Sequence, residues 1–271
     1  MARPRVMGIV NATPDSFSDG GRLGSVAAAV GHAMRLIAEG ADILDIGGES
    51  TRPGAEPVAE TDEIARVVPV IEGVRALWDG PISIDTLKPA VARAAVAAGA
   101  TIWNDVSGLT WAADSLATAA NLGCTVCLMH MRGEPRTMQA DPRYDDVVQE
   151  VCDWLAARAE AAVAAGVARD RIWLDPGVGF GKTAAHNLAL TAHLDRLTAL
   201  GLPVLYGASR KRVIQAVDPT ADDPGDRLGG SLALALEAAR RGAAVIRVHD
   251  VRETVQALSL QAAVAALAAQ G

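Results

Sequence analysis

Residues 81–105 read PISIDTLKPAVARAAVAAGATIWND. An apolar run, PISID, stops at Asp85; a helical stretch follows over 88–98; a second apolar run, TIWND, stops at Asn104 and Asp105. Pro89 stands in the first helical turn, where its missing N–H is not needed, and Gly99 stands at a C-cap position. Strand, covering helix and strand joined this way make a parallel pair with a right-handed crossover. The same unit recurs along the chain. MGIVN ends at Asn11, DILDIGGES at Asp45 and Glu49, CLMH at His130 and IWLD at Asp175. VLYGASRK carries Ser209 and Lys211, and VIRVHD carries Arg247, His249 and Asp250. Further helices are expected over about 25–39, 60–78, 113–122, 144–165, 184–200, 226–241 and 251–268.

Eight apolar runs thus deliver polar side chains at their C-terminal ends. Those side chains meet at one face only if the strands run parallel in a closed ring. The expected fold is therefore an α/β protein, a (β/α)8 TIM barrel, forming a single domain over residues 1–271. An open doubly wound sheet is the alternative, but it would gather function at its switch point and not on every strand.

At 271 residues the chain matches one barrel of about 250 residues. Half of it is apolar and only 3% aromatic, so the core is expected to be aliphatic and rich in alanine. A net charge of −7 argues against nucleic acid or an anionic membrane as partner, since either wants a basic face. No apolar stretch approaches the roughly 18 residues of a membrane span. MARPRV has no apolar core of a signal peptide, and three cysteines fit a reducing compartment; a cytoplasmic protein is expected. Cys124 and Cys127 spell CxxC, but residues three apart on a strand face opposite ways, so buried thiols are expected and not a metal site. Five histidines show no HxH or HExxH, which argues against a zinc site built by the protein.

Two connections are long: NATPDSFSDGGR (11–22), with Phe17, and GGESTRPGAEPV (47–58), with Arg52. Long loops over a barrel mouth are usually lids or binding loops. DPGVGFGKT suggests a P-loop ending in Gly181-Lys182-Thr183, but that cradle needs glycine where Pro176 stands.

MGIVNATPDSFSDGG, GGESTRPGAEPV, SIDT, NDVSG, MHMRGEPRTMQ, DPGVGFGKT, ASRKR and RVHDV resemble, in order, the signature segments of the dihydropteroate synthase family of pterin-binding enzymes. They span residues 7 to 251. The resemblance implies condensation of (7,8-dihydropterin-6-yl)methyl diphosphate with 4-aminobenzoate to 7,8-dihydropteroate and pyrophosphate. It implies a pterin site of Asp85, Asn104, Asp175 and Lys211, and an aminobenzoate site of Phe17, Thr51, Pro53, Phe180 and Arg212. Asn11, Arg52, Arg247 and His249 are implied for the diphosphate, Asn11 also for Mg²⁺, and Asp19 for ordering the first loop. The chemistry agrees: adjacent N–H donors on the pterin edge suit a buried carboxylate, and a leaving diphosphate suits cations and Mg²⁺. The aminobenzoate carboxylate is expected at the start of the short helix after Ser209-Arg210-Lys211.

The family commonly has an aromatic after the RKR triplet and a glycine two residues later. Here stand Val213 and Gln215, which bear on aminobenzoate affinity and sulfonamide susceptibility. A homodimer through helices near the end of the barrel is implied too. Two other readings share the pterin pocket: a methyltransferase domain acting on methyltetrahydrofolate, and a catalytically silent paralogue.

Overall fold

The computed structural model describes residues 3–12, 21–50, 57–133 and 137–268. Eight strands form one parallel sheet: β1 (Arg5–Asn11), β2 (Ile43–Gly47), β3 (Ile82–Asp85), β4 (Ile102–Asp105), β5 (Thr125–Met129), β6 (Ile172–Asp175), β7 (Leu205–Tyr206) and β8 (Val245–Val248). Neighbours follow chain order from β1 to β6, and β8 lies between β1 and β7. The ring closes at β6 and β7, where Leu174 bridges to Val204 and the Leu174 N–H donates to the Pro203 carbonyl at 2.9 Å. The chain is a (β/α)8 barrel.

The crossovers are α1 (Gly21–Ala38), α2 (Glu60–Arg75), α3 (Pro89–Ala97), α4 (Ser115–Leu122) and α5 (Val147–Ala164). Then come α6 (Ala184–Ala192), α7 (Leu194–Thr198), the short α8 (Arg212–Val217), α9 (Leu228–Arg240) and α10 (Val251–Ala268). The stretch expected as one helix over 184–200 is two, because His193 leaves helical geometry at φ −124°, ψ 30°. Gly99, after α3, sits at φ +115°, where a side chain would be strained. Among the described residues no helix is long and apolar enough to cross a membrane.

Strand alternation sorts the core into two parts. Val6, Val10, Leu44, Ile46, Ile82, Ile84, Trp103, Val126, Leu128, Ile172 and Leu174 face the helices. Met7, Ile43, Ile102, Cys127, Trp173, Leu205 and Val245 form a separate cluster, the plug inside the ring. All three cysteines are buried free thiols, Cys124 and Cys127 as expected.

Candidate active site

Counting two residues onward from the plug places the chemistry. Ile43 leads to Asp45, Ile102 to Asn104, Trp173 to Asp175 and Val245 to Arg247. Side chains two apart on a strand share a face, so these groups form a polar layer one pleat above the plug, at the C-terminal mouth. Strand register sets the heights: Asn11 pairs with Gly47, Gly47 with Asp85, and Asp85 with Asn104.

Arg247 is clamped within this layer. Its Nε donates to Asp45 Oδ2 at 2.5 Å and its Nη2 to Asp85 Oδ2 at 2.7 Å. Asn104 Nδ2 also donates to Asp45 Oδ2, at 3.1 Å. Asp45 is wholly buried. Oδ1 of Asp45 and Oδ1 of Asp85 are buried without a hydrogen-bond partner among the described residues. Burial pushes the Asp85 carboxyl well above the usual carboxylate range, and the Arg247 guanidinium draws it back. Nη1 of Arg247 has no partner among the described residues, so the clamp leaves one edge of the guanidinium for a ligand.

Across the mouth, Asp175 Oδ1 accepts the Gly177 N–H at 2.7 Å. Burial raises its pKa, and the cation of Lys211 opposes that. Lys211 Nζ donates to the Val178 carbonyl and lies 4.7 Å above the Phe180 ring. Its pKa is lowered to about 8 by burial, with Asp175 resisting. Phe180 packs with Leu87, Val106, Met129 and Met131, an apolar floor beside the polar layer. Carboxylate, ammonium and apolar floor together suit a flat heterocycle with polar edges.

Gly177 makes this corner possible. It sits at φ +67°, and a Cβ there would come within 1.9 Å of the His130 carbonyl oxygen. Gly177→Ala is expected to lower the thermal midpoint, with the left-handed backbone alone costing about 1–2 kcal/mol. A wild-type midpoint in calorimetry would contradict this close approach.

The sequence profile of the pterin binding enzyme family matches residues 7–249. The chain is 48% identical to the dihydropteroate synthase of Escherichia coli (strain K12) over 258 residues, 95% of this chain and 90% of that protein. The chain belongs to the dihydropteroate synthases. Its fold superposes on the Xanthomonas albilineans dihydropteroate synthase solved with 4-aminobenzoic acid, with TM-score 0.92, 54% identity, and 97% and 94% of the two chains covered. The Xanthomonas albilineans enzyme in complex with 7,8-dihydropteroate gives TM-score 0.88 and 51% identity, covering 97% of this chain and 94% of that one.

Of the residues expected from the dihydropteroate synthase resemblance, Asp85, Asn104, Asp175, Lys211 and Arg247 come together at the mouth, with Phe180 beside them. Asn11 stands exposed at the end of β1. His249 follows β8, where its Nδ1 meets Ser209 Oγ at 3.0 Å and its N–H donates to the same oxygen at 3.2 Å. Arg212 is exposed at the first position of α8, outside the buried layer. Phe17, Asp19, Thr51, Arg52 and Pro53 lie outside the described residues. The base of the second loop is described: Lys88 Nζ donates to Glu49, to Glu63 and to the Val58 carbonyl, at 2.8, 2.7 and 2.6 Å.

Two groups carried no role in the sequence reading, and a third, Gln215, has partners that the reading did not give. Asp45 holds both Arg247 and Asn104, and its inward parity was legible from Ile43. The apolar floor carries no polar signature. Gln215, a departure from the family pattern, bridges Arg227 Nη2 at 3.1 Å and Asp222 Oδ1 at 2.6 Å.

Proposed function

We propose that the mouth of this barrel binds the dihydropterin diphosphate with its aminopyrimidinone edge on Asp175, and joins its methylene carbon to 4-aminobenzoate. The observation that carries the reading is the buried Asp175 carboxylate beside Lys211 and an apolar floor. Paired ring N–H donors meet a paired acceptor there, desolvated on both sides. Asn104 and Asp85 complete the pterin edge, and Lys211 lies toward the ring carbonyl and N5. That a relative of the same fold is in complex with 7,8-dihydropteroate supports a pterin as the ligand class.

The chemistry follows from charge. Breaking the methylene–oxygen bond builds positive charge on a carbon conjugated to the electron-rich dihydropterin, while the departing diphosphate gains negative charge. Arg247 is held rigidly by Asp45 and Asp85 and offers Nη1 toward that anion, a preorganised donor that need not reorient. His249 and Arg52 are the further anion contacts. The arylamine is neutral near pH 7 and attacks without a strong general base. Its ring lies against Phe180, with Phe17, Thr51, Pro53 and Arg212 completing the pocket and Asp19 ordering the first loop.

Mg²⁺ fits this arrangement as a shared site. Among the described residues no three His, Cys, Asp or Glu side chains gather for a metal. Mg²⁺ is commonly held by one or two protein oxygens, substrate phosphates and water, and the exposed Asn11 amide oxygen supplies such a donor. Bound there, it would neutralise diphosphate charge. The protein acts in the cytoplasm as a homodimer: Leu260, Val264 and Leu267 on α10 are 67%, 60% and 70% exposed, an apolar stripe suited to a second copy. Val264→Glu is expected to sediment as a monomer; an unchanged sedimentation coefficient would remove α10 from the interface.

The deciding experiment incubates the protein with the pterin diphosphate, labelled 4-aminobenzoate and Mg²⁺. Labelled dihydropteroate is expected. Pterin binding without product would instead indicate a silent paralogue.

Pterin affinity should have two pH limbs. It falls in acid as Asp175, with its raised pKa, takes up a proton and loses an acceptor site. It falls again above about pH 8 as Lys211 becomes neutral. Lys211 is lowered from an ordinary 10.5, so between about 8 and 10.5 the unfolded chain holds more protons than the folded one. Stability from this group therefore rises with pH in that window, and the alkaline loss of binding is not unfolding at Lys211. Calorimetric titration from pH 5 to 10, with melting temperatures alongside, checks both limbs; a flat profile would contradict them.

A further inference from the structure

Lys182 is 3% exposed and has no carboxylate within 4.0 Å among the described residues. Burial lowers its pKa to about 7, with the Asp175 carboxylate opposing, and the charged form is held by the lone pairs around it. Its Nζ lies 2.9 Å from His130 Nδ1, 3.2 Å from the His130 carbonyl, and 3.0 Å from both the Gly177 and Phe180 carbonyls. Burial and the neighbouring cations hold the His130 imidazole neutral, at a pKa of about 3, so its ring nitrogen can accept.

The residues whose carbonyls Lys182 holds belong to both halves of the site. Gly177 presents its carbonyl to Lys182 and donates its N–H to Asp175, the pterin acceptor. Phe180 presents its carbonyl to the same ammonium and its ring to Lys211. The carbonyls between and after them are also held: Val178 by Lys211, Gly179 by Gln139 and Gly181 by the Tyr144 hydroxyl. Among the described residues only Lys182 holds two of these five carbonyls, and it also ties them to the end of β5 at His130.

We propose that Lys182 is a positioning residue for both substrates, fixing with one ammonium the carbonyl of Gly177, whose N–H orients Asp175, and the carbonyl of Phe180, whose ring walls the second pocket. It touches neither substrate. It rests on the reading above, in which Asp175 takes the pterin edge and Phe180 walls the aminobenzoate. Loss of the ammonium leaves the Phe180 carbonyl without its donor and the Gly177 carbonyl with the Phe180 N–H alone, at 3.1 Å, and the loop relaxes away from both pockets together.

Lys182→Met and Lys182→Gln are compared with wild type by aminobenzoate KM, kcat, the Kd of unreactive 6-hydroxymethyl-7,8-dihydropterin, and the melting temperature. For Lys182→Met we expect aminobenzoate KM to rise by about tenfold or more and pterin Kd by about threefold or more, on the order of the effect of a small misplacement. Lys182→Gln, which keeps two N–H donors, recovers part of both. A double-mutant cycle on KM with Phe180→Leu is expected to be strongly non-additive, because Lys182 acts through Phe180. A purely structural lysine would lower the melting temperature, leave KM and Kd of the folded protein within about twofold, and give an additive cycle. That result overturns the proposal. If Lys182→Met does not fold, Lys182→Gln and its cycle decide on the same criteria. Absence of product from wild type would refute the proposed function, while the pterin Kd would still report on Lys182.

Discussion

Asp175→Ala is expected to weaken binding of 6-hydroxymethyl-7,8-dihydropterin by about 2–5 kcal/mol, because it leaves desolvated ring donors without an acceptor. The variant has a second consequence, since Asp175 Oδ1 also accepts the Gly177 N–H at 2.7 Å. Asp175→Asn separates the two. An amide can still accept from Gly177, yet it presents a donor where the ring needs a second acceptor. Affinity should therefore remain poor in Asp175→Asn while the melting temperature stays near that of wild type. Calorimetry of both variants reads the difference. Wild-type affinity in Asp175→Asn would remove this carboxylate from the pterin edge.

Arg247→Ala should lower both turnover and stability, for separable reasons. The guanidinium bridges two buried carboxylates, and removing one partner of a buried ion pair typically costs about 3–5 kcal/mol. The role proposed for it toward the leaving group predicts a fall in kcat exceeding any loss of pterin affinity. Adding Asp45→Asn to Arg247→Ala removes one of the stranded charges, so unfolding in urea should show recovered stability. Turnover should stay low. A change confined to KM in Arg247→Ala, or recovered turnover in the double variant, would contradict a leaving-group role.

Most of the barrel was legible because each apolar run stops at a polar residue, and stopping points reveal strand ends. Asp85, Asn104 and Asp175 could be read this way. The direction of Arg247 could not. Parity puts it on the inner face, but whether a guanidinium meets an anionic ligand or a carboxylate depends on the register of β1, β2, β3 and β8 together. Leu87, Val106, Met129 and Met131 were illegible for another reason: apolar residues after strands look alike whether they pack under a helix or beneath a ligand. Lys182 drew notice only as the lysine of a failed P-loop. Its four contacts, apart from Gly177 and Phe180 in its own loop, reach back to His130 across the β5–β6 pair.

The central claim is that Asp85, Asn104, Asp175, Lys211 and Arg247 serve one bicyclic ring and its departing anion. A crystal structure with 6-hydroxymethyl-7,8-dihydropterin and pyrophosphate tests it most directly. The ring is predicted to lie on the Phe180 side of the mouth with its aminopyrimidinone edge on Asp175, and pyrophosphate within hydrogen-bonding reach of Arg247 Nη1. A ring bound away from Asp175, or pyrophosphate on a different face of the barrel, would contradict it.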